Sequence, residues 1–107
     1  MRIREVTMPN PVIAYYFANY SHQDITRLFG CMLLDGIASI GIRRNNVTPS
    51  GYMVIRENNL PSVLVENGFH TNARDRALLQ SDDFMRRLAL VYADTIEAYF
   101  IRIRNLP

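Results

Sequence analysis

Val12-Ile13-Ala14-Tyr15-Tyr16-Phe17-Ala18 is an unbroken apolar run rich in β-branched and aromatic residues. Such a run predicts a strand buried on both faces. The residues before it are largely polar and close on Pro9-Asn10-Pro11, so 1–10 read as an extended lead-in. After the run the period changes. Ile25, Leu28, Phe29, Met32, Leu33, Ile37 and Ile40 recur at helical spacing as one apolar stripe, which predicts a helix over 22–40. Ser21, with Asp24 three residues on, predicts its capping box, and Gly36 or Gly41 its end.

Turn chemistry makes 43–51, Arg-Arg-Asn-Asn-Val-Thr-Pro-Ser-Gly, a loop. Short apolar runs at Tyr52–Arg56 and Ser62–Glu66 predict two further strands, with Asn58, Asn59 and Pro61 between them. Asn72 is placed to cap a short helix, with Asp75 at its third position. Ser81 is placed to cap a long last helix, with Asp82 and Asp83 near its positive end. The stripe of that helix runs Phe84, Leu88, Val91, Tyr92, Ile96, Tyr99 and Ile103. Buried strands alternating with amphipathic helices predict an α/β fold, a mostly parallel sheet with flanking helices. Three strands are few for such a sheet, which typically has about five or six, so the domain reads as incomplete.

Composition narrows the functional classes. At 107 residues, 49% hydrophobic and 21% charged, the chain is a single domain with a real core rather than a disordered tail. All twelve basic residues are arginine, scattered as singles and pairs with no concentrated basic stripe, which argues against nucleic acid as a partner. The single Cys31, set among apolar residues, reads as a small core residue and leaves the redox compartment open. No apolar stretch nears the ~20 residues of a membrane span. Met1–Thr7 lacks the apolar run of a secretion signal, so no export address is expected in this chain.

The candidate chemistry lies between Val54 and Asn72. Glu66 closes an apolar strand, and Asn67-Gly68 turns the chain directly after it. In parallel α/β sheets, sites form outside the carboxyl ends of the strands, where a carboxylate is available as a general base. On spacing alone, a solvated glutamate at a strand end or one capping the helix at Asn72 fits as well.

The same segment resembles the zinc-dependent N-acetylmuramoyl-L-alanine amidases. In that family a strand ending in a leucine-arginine pair leads to a proline-initiated strand, a Val-Glu-x-Gly-Phe turn and an asparagine-capped helix. Here the residues are Val54-Ile55-Arg56, then Pro61 to Val65-Glu66-Asn67-Gly68-Phe69, then Thr71-Asn72. The likeness continues through Leu78-Leu79 into Arg87-Leu88-Ala89 and Ile96-Glu97-Ala98-Tyr99-Phe100, and upstream to Ile13–Phe17 and the 22–40 helix. It implies that residues 1–107 are the C-terminal part of an amidase catalytic domain, acting on peptidoglycan in the cell wall or another extracytoplasmic space.

By that resemblance Glu66 is the catalytic glutamate. It would take a proton from a zinc-bound water that attacks the amide between N-acetylmuramic acid and L-alanine, then protonate the leaving amine. Arg56 matches a family arginine, for which a structural or substrate-orienting role is implied. The family's zinc ligands are two histidines and a glutamate upstream of the aromatic strand, and no residue here matches them. His22, at a helix start, and His70, four positions past Glu66, are read as bystanders rather than ligands. The isolated chain is therefore expected to hold no zinc of its own and to be inactive. A degenerate, non-catalytic module that binds peptidoglycan or a partner protein is the alternative. A metal shared between copies through His22, His70 and Glu66 is a more distant one. An uncovered sheet edge predicts self-association.

Overall fold

The centre of the sheet is β1, Val12–Tyr16. A computed structural model describes residues 12–16, 22–57, 60–68 and 71–106. The lead-in at 1–10, the strand expected to run on to Ala18, the cap at Ser21, the turn at Asn58-Asn59 and His70 lie outside the described residues. Ala14 in the middle of β1 is completely buried, as a strand covered by neighbours on its helix side requires.

Helix α1, Gln23–Ala38, crosses β1 on one face and turns Leu33, Leu34 and Ile37 into the core. Its backbone approaches the sheet closely at Gly30, where an added Cβ would lie 3.0 Å from Val47 Cγ1 and 3.5 Å from Ala14 Cβ. His22 occupies the N-cap position, with no side-chain cap bond, and its carbonyl accepts from Thr26 N and Thr26 Oγ1, each at 3.1 Å. The helix ends in bonds from Ser39 N to Asp35 O and from Gly41 N to Ala38 O. Gly41, with φ +121°, takes the left-handed conformation that stops it, so Gly36 is interior.

Residues expected to form a loop make strand β2, Arg44–Pro49, which pairs parallel to β1 with Val12 opposite Arg44 and Ala14 opposite Val47. Its polar sequence is that of an edge strand. Asn46, Thr48 and Pro49 are exposed, and Val47 packs on the core cluster. Hydrogen bonds to β1, which no local pattern encodes, override the turn chemistry of 43–51.

Tyr52–Arg56, expected as a strand, contains a single helical turn, α2, Met53–Arg56. Tyr52 O accepts from Ile55 N and Arg56 N. Only Ile55 is buried, while Met53 and Val54 are 69% and 65% exposed, so this run has no sheet to join.

Strand β3, Leu64–Glu66, pairs antiparallel with the other edge of β1, giving the order β2-β1-β3. The sheet among the described residues is therefore mixed, not mostly parallel. The reason is the connection. Residues 50–63 join β2 to β3 and hold, among the described residues, only the one-turn helix α2 rather than the long helix typical of a parallel crossover. The chain thus arrives at the other edge of β1 running in the opposite direction.

Two of the three helix caps read from the sequence, at Asn72 and Ser81, form as expected. Asn72 Oδ1 accepts from Asp75 N at 3.0 Å at the start of α3, Ala73–Leu79. Ser81 Oγ accepts from Phe84 N at 3.2 Å at the start of α4, Asp82–Arg104. Phe84, Leu88 and Tyr99 carry the buried stripe of α4, and the core unites Ala14, Leu34, Ile37, Ile42, Phe84 and Leu88. Helix α4 packs on α1, where an added Cβ at Gly36 would sit 2.8 Å from Val91 Cγ1 and 3.1 Å from Thr95 Oγ1.

Gly36→Val should therefore push α4 off α1 and lower stability by about 1–3 kcal/mol. Gly51→Ala, whose methyl would meet no atom within 4 Å, is the control. Denaturation midpoints of the two variants check this, and equal midpoints would refute the close contact.

Candidate functional site

Glu66 is the last residue of β3 and is half-buried. It pairs with Ile13, near the amino end of β1. Because β3 is reversed, Glu66 lies at the end of the sheet where the parallel strands β1 and β2 begin. The expected place, outside the carboxyl ends of parallel strands, is thus corrected by the mixed topology. Alternation along the strand fixes the face: Val63 and Val65 pack on the core, so Glu66 belongs to the opposite face of the sheet.

The turn after Glu66 is held from two sides. Asn67 Oδ1 accepts a hydrogen bond from the Tyr92 hydroxyl of α4 at 2.6 Å. Gly68 has φ +111°, and an added Cβ there would meet Asp75 Oδ2 at 2.9 Å. Glycine is needed both for the left-handed backbone and for the space. Asp75 is 1% exposed and Asn72, which caps it, 2%. Burial pushes the Tyr92 phenol above its ordinary value, while the bond to Asn67 acts the other way. The phenol is therefore neutral and a donor at physiological pH.

Tyr92 was legible only as one member of an apolar stripe, and Asp75 only as a capping acid. An Asn-Gly pair directly after a strand-end glutamate is the local signal of the turn, but nothing local marks its partner on α4.

Arg56 is not brought to Glu66. Its Nε bonds Glu57 Oε1 at 2.9 Å and its Nη1 donates to Gly51 O at 3.3 Å, local contacts of α2 and its flanks. His22 is half-buried at the start of α1. Cys31, expected in the core, is half-buried with a free thiol.

Catalytic zinc takes three protein ligands. Among the described residues no group of three or more histidine, cysteine, aspartate or glutamate side chains is placed to hold a metal ion. These residues do not fit a zinc centre by themselves. A cavity of about 250 Å3 lies between Phe29, Leu60, Pro61, Tyr99, Phe100 and Ile103. None of those six side chains is an acid or base suited to proton transfer near neutral pH, so Glu66 remains the candidate.

The chain is similar to known N-acetylmuramoyl-L-alanine amidases. The chain is 30% identical to the N-acetylmuramoyl-L-alanine amidase LytC of Bacillus subtilis over 92 residues, which is 86% of this chain and 18% of LytC. Its fold superposes on the catalytic domain of CwlV, an N-acetylmuramoyl-L-alanine amidase of Bacillus (Paenibacillus) polymyxa. There the TM-score is 0.71 at 26% identity, covering 90% of this chain and 54% of that one. An N-acetylmuramoyl-L-alanine amidase of Clostridium difficile 630 shares the fold with a TM-score of 0.78 at 19% identity, over 89% of this chain and 50% of that one. The chain spans less than half the length of the curated relatives it matches. The family model for N-acetylmuramoyl-L-alanine amidase, Amidase_3, matches residues 7–98, and the chain belongs to that family.

Proposed function

We propose that this chain carries the general base of a peptidoglycan amidase, and that the base is Glu66. The observation that supports the reading is the position of Glu66 within the family match: a carboxylate closing β3, on the sheet face away from the core, followed by a fixed turn. The reaction is hydrolysis of the amide between N-acetylmuramic acid and L-alanine. As water oxygen attacks the carbonyl carbon, the Glu66 carboxylate takes the water proton. It then delivers that proton to the departing amine nitrogen as the C–N bond breaks.

Peptidoglycan is the substrate, and the site of action is the cell wall or an extracytoplasmic space. No described helix is long and apolar enough to cross a membrane. Arg56 contributes by orienting substrate from α2 or by bracing that turn. Because the described residues do not supply a zinc centre, the isolated chain is inactive in this reading. Strand β2 is an edge of the sheet among the described residues, and pairing of a second chain along a sheet edge is the route by which this chain would self-associate.

A hybrid in which this chain replaces the segment of LytC that it matches tests the assignment. Muropeptide release by the hybrid should fall about 10²–10⁴-fold on Glu66→Gln, while its circular dichroism is unchanged. Full activity of the Gln variant would remove Glu66 from the chemistry. Binding of the 107-residue chain to sacculi, with no release by the hybrid, would favour the non-catalytic module instead. Sedimentation velocity of the chain should show a dimer or larger species; a clean monomer would end the edge-pairing idea.

A further inference from the structure

The Tyr92–Asn67 bond joins the longest helix to the residue directly after the proposed base. A glutamate at the end of a three-residue strand would otherwise sit on a short, weakly held peptide. On one side the turn is blocked by Asp75 of α3, which lies against Gly68. On the other it is tied to α4, which is itself packed on α1. The Tyr92 hydroxyl donates and the Asn67 side-chain oxygen accepts, at 2.6 Å in a half-buried setting where water competes weakly.

We propose that Tyr92 is a positioning residue for Glu66, acting through Asn67 to fix the direction in which the carboxylate leaves the sheet. This rests on the reading of Glu66 as the base. Tyr92 reaches no reacting atom in this proposal. A shift of about 1 Å at a catalytic group lowers rates by about 10²-fold, so a single bond that fixes one turn is enough to matter. The substitutions that separate this role from packing are available within the pair. Tyr92→Phe keeps the ring in its place on α4 and removes only the donor. Asn67→Asp keeps an acceptor for the phenol, and Asn67→Leu removes it.

Hydrogen exchange in the 107-residue chain reads the clamp without any activity. Tyr92→Phe and Asn67→Leu should each speed exchange at the Asn67 and Gly68 amides about tenfold, with α1 amides unchanged, while Asn67→Asp should leave exchange slow. In the LytC hybrid, Tyr92→Phe should lower kcat about tenfold or more and leave KM within about twofold. Unchanged exchange at 67–68, or an equal rise across the whole chain, would overturn the proposal, as would a fall in kcat no larger than the rise in KM. If Glu66→Gln left the hybrid active while the exchange result held, the reading of the base would fail and the clamp would stand.

Discussion

Everything in this fold leans on one helix being thin enough to fit between two neighbours. Helix α1 presses its Gly30 backbone onto Val47 and Ala14 of the sheet and its Gly36 backbone onto Val91 and Thr95 of α4. With no side chain at either point, the three layers close to contact distance, and Leu34 and Ile37 fill what remains. The position of α4 follows from that contact, and so does the reach of Tyr92 to Asn67. The turn beside Glu66 is thus held at the end of a chain of packing that starts with two missing side chains.

What could be read from the chain before its structure divides along physical lines. The central strand over Val12–Tyr16, the helices of α1 and α4 and the caps at Asn72 and Ser81 depend on local patterns of burial and hydrogen bonding and form as expected, although Ile96 of the expected α4 stripe is exposed. Glu66 at the end of its strand was legible for the same reason. The errors all concern relations between distant segments. Strand β2 is polar because it is an edge, and its only local signature is that of a loop. The run Tyr52–Arg56 has strand-forming residues but pairs with no strand among the described residues, and it contains one helical turn. The direction of β3 depends on how the link crosses the sheet, which no residue type records.

Asp75 is buried beside the Glu66 turn, whereas the ion pairs of Arg44 and Arg56 lie at the surface. Arg44 bonds Asp35 through its Nε at 2.7 Å, and Arg74 donates to the carbonyl of Gly41, both near the C-terminal end of α1. Exposed pairs of this kind are worth about 0–1 kcal/mol, so they add little to stability beside the packing of α1 on the sheet and on α4. Arg56 belongs to the same group, its guanidinium engaged with its own neighbours.

The pairing of the sheet also sets the order in which it can be built. Among the described residues the central strand precedes both of its partners, so Val12 waits for Arg44 and Ile13 waits for Glu66. Both partners require large loops to close before any ladder bond forms, which slows folding and leaves β1 uncovered meanwhile. Helix α4 needs no such partner to begin its turns. The turns of α1 and α4 can therefore form early, whereas the α1–α4 contact, which joins Gly36 to Val91, and the pairing of β3 with its glutamate both wait on the closure of large loops.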